Sequence, residues 1–438
     1  MSNINNTIEN TPQSPTAEII AIGTELLLGH TINTDATIIA QELASVGINI
    51  YFMQTVGDNA ERLTTALETA LKRSHIVITT GGLGPTPDDL SKNIVAKVCK
   101  QPLTINATAL ETLKTRYASI KLEPNQIQQA YFPANAHILA NALGTAPGCA
   151  VPCGQNQWVC MLPGPPNELE PMLKQSLLPL LQEHFPTGIL ATSKLRVFGL
   201  SEANIAQTLG DLTTHANPTV ATYAGNGEIM VRLTAHAATF EQANELLTPY
   251  KEQILSLLGS YLYGIDVDSL EVLVVAELRH RHLTLALAES CTGGLLAKRI
   301  TDQSGASDIF GFGFVTYANE AKIELLGVQD ATLAAHGAVS AETAQAMAQG
   351  ARARGHADLA LAITGIAGPL GGTHEKPVGL VYISLACAHT TFTRCLKPHP
   401  YFRTRSSIRQ RSANHALDML RRYLFNLPVE DTWAITQS

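Results

Sequence analysis

The chain has 438 residues, 45% of them hydrophobic and 15% charged, with a formal net charge of -7. That balance describes a compact globular protein of two or three domains and excludes a disordered or fibrous one. The negative charge argues against a general affinity for phosphate backbones, and no stretch approaches the ~20 apolar residues of a membrane span.

Residues 1–16 read as a disordered leader: "MSNINNTIENTPQSPT" has neither the basic start nor the apolar run of a secretion signal. Seven cysteines scattered through the chain fit a reducing cytoplasm better than a disulfide framework. From Ala17 the strand-like runs "AEIIAIG", "INIYFMQTVG" and "HIVITTGG" alternate with the helical patterns "NTDATIIAQELASVG" and "NAERLTTALETALKRS". This order predicts a parallel-rich sheet with helices on both faces, spanning 17–185 and closing on a helix from Pro166 to about His184. After "FPTG" the pattern changes to strand, helix, two strands, and a helix from Thr239 to Leu258, a small α+β module over 186–260. Its βαββα order is similar to a KH-like fold. The GxxG loop with which KH domains clamp nucleic acid is missing, and four Lys or Arg face six Asp or Glu between Lys194 and Leu258. A spacer or dimerisation module is therefore expected rather than an RNA binder, and direct nucleic-acid binding is not expected.

Over 261–425 the alternation resumes with a helix Ser269–His280, the strand "LTLALA", a helix from Thr292, the strand "IFGFGFVTYA", the helix "AETAQAMAQGARARG", the strand "DLALAITG", two further strands, and a helix from about Thr404; 426–438 form a tail. The predicted fold class is α/β, with two three-layer α/β/α sandwich domains joined by a small KH-like α+β domain.

In the first sandwich, "TTGGLGPTPDDL" follows a strand. Gly81, Gly82 and Gly84 allow the backbone to fold closely around a ligand at the carboxyl end of the sheet, where open α/β sheets bind ligands. Asp88 and Asp89 are expected at the start of the next helix, where carboxylates either favour the helix dipole or hold a hard cation against a phosphate. "GTELLLGHTINT" and "VGDN" follow two other strands, so Glu25, Asn33 and Asp58 are expected to converge on the same crevice. Cys149 and Cys153 have no second pair at zinc-like spacing and read as a strand pair turning at "GQN". In the second sandwich, "LALAESCTGGLLAKRI" places Ser290 between a strand and a helix, either as an N-cap or as a nucleophile. No GxSxG elbow is present. Lys298 lies about 12 Å along the helix, at ~1.5 Å per residue, too far to serve as its base.

"GTELLLGHTINT", "VGDN", "TGGLGPTPDD" and "MLPGPPNE" resemble the molybdopterin-binding-like domain of the competence/damage-inducible protein A (CinA) family. "LRVFGLSEANIAQTLGDL" and "ATYAGNGEIMVRLTA" resemble its middle domain. "AESCTGGLLAKRIT", "GFVTYANEAKIELLGV", "HGAVS" and "TGIAGPLGGTHEKPVG" resemble its C-terminal amidase domain. The resemblance implies an amidohydrolase converting nicotinamide mononucleotide (NMN) to nicotinate mononucleotide and ammonia, without a cofactor. It further implies an N-terminal ADP-ribose pyrophosphatase dependent on a divalent metal (Mg, Mn or Co), with Asp58 and Asp89 as candidate ligands, and a homodimer. Ser290 would be the nucleophile, Lys322 its base and Tyr317 a residue that orients or relays the proton, with Cys291 a packed neighbour. Backbone N–H groups at Thr292, Gly293 and Gly294 are placed to receive an oxyanion or phosphate, beside the strand end Thr364, Gly365 and Gly368. Arg405 and Arg409 match the family's basic segment, although "YFRTRSSIRQR" lacks the Gly–Asp that commonly precedes the arginine. Two other readings compete: a binder of molybdopterin or its adenylylated form, and an accessory protein in competence or DNA recombination.

Overall fold

The computed structural model describes residues 15–86, 88–117, 123–154, 156–185, 188–225 and 227–429. Most of the expected leader and tail lie outside the described residues. The chain divides into two compact units, the first made of 1–191 with 235–245 and the second of 192–234 with 246–438.

The first unit is built on a six-stranded sheet in the order Asn49–Val56, Thr16–Ile22, Ile76–Thr80, Trp158–Leu162, Gly148–Pro152 and His137–Leu139. The first four strands are parallel, Gly148–Pro152 runs against them, and the edge strand His137–Leu139 turns back to their direction. Alternation divides the apolar side chains between the faces: Ile20 and Val77 enter one core, Ile19 and Ile78 the other. Helices therefore cover both faces. Because the parallel strands all point the same way, the loops after Ile22, Val56, Thr80 and Leu162 gather at one edge of the sheet. The closing helix from Pro166 to His184 contains a wider turn at Leu173–Leu177. Cys149 and Cys153 lie on and just beyond the antiparallel strand Gly148–Pro152, as the turn reading expected.

The middle sheet runs Thr219–Gly225, Glu228–Ala237, Ile189–Val197 and Leu262–Ile265. Its fourth strand lies past the boundary expected at 260 and pairs antiparallel with residues 195–197. The helices Glu202–Leu209 and Phe240–Leu258 complete this module.

The last sheet runs Phe310–Val315, Leu285–Glu289, Leu359–Gly365, Val381–Ala386 and Thr391–Leu396, the first three strands parallel. Both central strands begin Leu-Ala-Leu-Ala, and the pattern sorts by face. Leu285, Leu287, Leu359 and Leu361 pack toward the helices Leu270–His280 and Arg405–Leu424. Ala286, Ala288, Ala360 and Ala362 pack with Met347, Ala348 and Ala351 of the helix Ala341–Arg354. Two sandwiches and a small α+β module are thus present, as the sequence predicts.

Candidate functional site

One candidate site forms where the strand Leu285–Glu289 ends. The helix expected from Thr292 starts later, at Leu295, behind a turn in which Gly293 and Gly294 take the left-handed values φ 54 and 88. Such a turn strains any residue with a Cβ. Ser290 is not the N-cap. Gly294 holds that position, and the first-turn N–H groups of Leu296 and Ala297 are satisfied instead by the buried carboxylate of Glu289, at 3.0 and 2.8 Å. Ser290 itself donates its N–H to the Ile363 carbonyl at 2.9 Å, which extends the ladder one peptide beyond the strand.

Lys322 meets Ser290 from the helix Asn319–Leu326. Its Nζ lies 3.3 Å from Ser290 Oγ and also reaches the carbonyls of Thr316 at 2.9 Å, Tyr317 at 3.3 Å and Ala318 at 3.4 Å. Only 1% of the residue is exposed, and burial lowers its pKa from the usual lysine value against a weaker opposing pull from Cys291 and Glu320. A neutral amine keeps two N–H bonds for carbonyls and offers its lone pair to the serine hydroxyl. Cys291 is no rival nucleophile, since burial pushes its thiol up to about 12. Lys298 is spent on Asp302 at the surface, 2.5 Å away.

Tyr317 stands beside this pair: its hydroxyl accepts from Arg405 at 3.0 Å, and its carbonyl accepts from Lys322 at 3.3 Å. Arg405 also donates to the Gly368 carbonyl at 2.9 Å, tying the "TGIAGP" loop to the start of the last helix. Arg409 is committed too, donating Nε and a second N–H to the Thr292 carbonyl. Thr364 donates to the Ala338 carbonyl at 2.7 Å, joining the strand end at Thr364 and Gly365 to the "HGAVS" loop. The hydroxyls of Thr292 and Thr316 are buried without a partner among the described residues.

A second candidate site occupies the gathered loops of the first unit. A cavity of about 550 Å³ is lined by all eight residues that the strand-end motifs single out: Glu25, Asn33, Asp58, Gly81, Gly82, Gly84, Asp88 and Asp89. Gly81 has φ 92, and a Cβ there would stand 2.5 Å from the Ile22 carbonyl, so the turn tolerates only glycine. Asp58 accepts from the Thr24 N–H and hydroxyl at 2.9 and 2.8 Å, and Asp89 accepts from the Thr86 N–H and hydroxyl at 2.8 and 2.5 Å. Asp88 and Asp89 do not cap the following helix, which starts at Ser91 with no side-chain cap bond. Asp89 instead holds its own loop closed.

Sequence reasoning missed three residues of this cavity. Asp35 is buried with Oδ1 unpaired among the described residues, and burial pushes it up to about 6. Gln129 and Glu168 also line the cavity. Glu168 stands in the quoted "MLPGPPNE", and that motif was the available signal; Asp35 and Gln129 lie outside any chemical motif and reach the site through the fold.

As for a metal, no three acidic, histidine or cysteine side chains among the described residues are gathered closely enough to hold one alone. Asp58 and Asp89 each engage their threonine through one carboxylate oxygen, and the other has no hydrogen bond among the described residues. That donor set fits a hard cation that takes its remaining ligands from phosphate oxygens and water.

The fold and the two sites define a multidomain α/β protein with an acid-lined strand-end cavity in its first sandwich and a Ser–Lys pair in its last. Residues 18–183 match the family described as a probable molybdopterin binding domain, 192–264 the damage-inducible protein CinA KH domain, and 267–424 the CinA C-terminal domain. The chain is 50% identical to a CinA-like protein of Desulfovibrio desulfuricans, covering 95% of this chain and 98% of that one. It is 44% identical to a putative competence-damage inducible protein of Thermoanaerobacter pseudethanolicus, over 94% and 99%. The crystal structure of a competence/damage inducible protein from Agrobacterium tumefaciens covers 36% of this chain and 93% of its own, at 41% identity and a TM-score of 0.34. The chain belongs to the CinA family. Among the described residues, no helix is long and apolar enough to cross a membrane.

Proposed function

We propose that the C-terminal sandwich is an amidohydrolase that converts NMN to nicotinate mononucleotide and ammonia in NAD recycling. The observation that carries this reading is the 3.3 Å approach of Ser290 Oγ to the amine of a buried lysine. Neutral Lys322 takes the serine proton as Oγ attacks the carboxamide carbon, then returns it to the departing nitrogen, which leaves as ammonia. Water hydrolyses the acyl-serine by the same path. The turn Cys291–Gly294, spanned by the bonds of Glu289 to Leu296 and Ala297 and held at the Thr292 carbonyl by Arg409, supplies backbone N–H groups other than that of Gly293, which bonds the Ser290 carbonyl, to the developing oxyanion. Arg405, the more exposed of the two arginines, is the cation for the substrate phosphate. The test is ammonia release from NMN by the whole protein, lost in Ser290→Ala; a normal rate in that variant sinks the reading.

A second activity is supported by the acid-lined cavity of the first unit. We propose metal-dependent hydrolysis of ADP-ribose there, with Asp58 and Asp89 holding the cation. When bound, Mg, Mn or Co would neutralise pyrophosphate charge so that water can attack. Undiminished cleavage in the presence of chelator would count against it. With these activities goes a cytoplasmic homodimer, a setting in keeping with seven unpaired cysteines.

A further inference from the structure

A separate cavity, of about 340 Å³, lies within the second unit, and none of its lining residues belongs to either candidate site. Its walls come from the middle module's hairpin Thr219–Gly225 and Glu228–Ala237, from Arg196 of the neighbouring strand, and from the helices of the last sandwich that begin at Leu270, Leu295 and Arg405. Five charged side chains reach it: Arg196, Arg299, Glu228, Asp268 and Glu271. Two of them neutralise each other, since Arg299 donates to Glu271 at 2.6 Å.

The other three have no ion pair among the described residues. Arg196 gives its Nε to the Val267 carbonyl at 3.1 Å, and its two terminal nitrogens donate to nothing among those residues. Glu228 accepts from the Tyr263 hydroxyl at 2.6 Å through one oxygen, and its second oxygen has no hydrogen bond among them either. Burial raises the Glu228 pKa above the usual glutamate value, against the pull of that hydrogen bond and of Arg299. Asp268 is exposed, with an unbonded carboxylate among the described residues.

Opposite charges held unpaired around one space restrict what can fill it. A simple anion would satisfy Arg196 but face two carboxylates, a phosphate dianion more unfavourably still, and a simple amine would leave the guanidinium unmatched. A molecule carrying both a carboxylate and an ammonium meets all three groups. The guanidinium fork matches a carboxylate, and an ammonium brings three donors for Glu228 and Asp268. Tyr223 and Met230, also in the lining, offer ring and thioether surface to an apolar side chain. We propose that this cavity binds a free α-amino acid with an apolar side chain, its carboxylate on Arg196 and its ammonium between Glu228 and Asp268. Because the hairpin and the helices each contribute walls, the bound amino acid also ties the middle module to the last sandwich.

The test is calorimetric titration of the full chain with L-leucine, with isocaproate, which is leucine without its amine, and with isoamylamine, which is leucine without its carboxylate. Leucine is expected to bind, and each analogue to bind about tenfold more weakly or worse, the scale of one lost charge-assisted hydrogen bond. Arg196→Gln should weaken leucine by about tenfold and leave isoamylamine unchanged. Asp268→Asn should weaken leucine less; its position is exposed and unpaired, so it keeps the test open if Arg196→Gln fails to fold. No leucine binding to the parent protein, isocaproate or isoamylamine binding as tightly as leucine, or unaltered leucine affinity in both variants would each overturn the inference.

Discussion

In the first unit, six carboxylates surround one open cavity, and those of Asp58 and Asp89 are steadied by neighbouring threonines. In the last unit a single amine is enclosed by a serine hydroxyl and three carbonyls, with 1% of the residue exposed. Both sites lie where parallel strands end, so the architecture alone does not set the chemistry. What differs is the treatment of charge. The cavity gathers several carboxylates around one open space, whereas the second site buries a lone amine, and that burial lowers its pKa.

The sharpest way to break this contrast is to remove the amine. Lys322→Met should lower kcat for amide hydrolysis by several orders of magnitude with a smaller change in KM, and Lys322→Arg should fare no better because a guanidinium stays protonated. In the parent protein the lowered lysine pKa means that kcat/KM rises with pH through an apparent pKa below that of a free lysine. A near-normal rate in the Arg variant would show that the side chain supplies only charge. Next in size, Asp58→Ala or Asp89→Ala should reduce ADP-ribose cleavage by about 100-fold, measured as AMP release, and leave ammonia release from NMN untouched. Loss of both activities together would mean that the sites are not independent.

A smaller effect concerns stability. Asp35, raised from 3.8 to about 6, binds a proton more readily folded than unfolded, so its ionisation weakens the fold as pH rises from about 4 through 6. Asp35→Asn is expected to raise Tm by a few degrees at pH 7 and by little at pH 4, where the carboxyl is protonated in both states; a gain of equal size at both pH values would remove titration as the cause. The smallest change is expected of Cys291→Ala, which should retain most deamidase activity in the ammonia assay because its thiol, held near 12, does not ionise.

The sheets were legible because their strands carry runs of Ile, Val, Leu and Ala long enough to be buried on both faces, as in "EIIAI" and "LALA". The eight cavity residues were legible because each follows a strand end. Leu262–Ile265 escaped because it is four residues long and owes its place to pairing with residues 195–197. The late start of the helix at Leu295 escaped because a Thr-Gly-Gly turn and a first helical turn look alike in sequence; only the left-handed φ values of the glycines separate them. The bond from Tyr317 to Arg405 joins side chains 88 residues apart, and no local pattern encodes it.

The neighbouring positions of Glu289 and Ser290 carry a further consequence. Successive residues of a strand face opposite sides of the sheet, so the carboxylate that braces one helix and the hydroxyl that meets the other are separated by a single peptide. Sliding the central strand by one residue against Leu359–Gly365 would exchange them. A carboxylate would then confront Lys322 and keep it charged, while the hydroxyl sat idle against the helix at Leu295. Insertions and deletions of one residue between Leu285 and Glu289 are thus barred by chemistry as well as by packing, because the parity of the strand decides which side chain anchors and which one reacts.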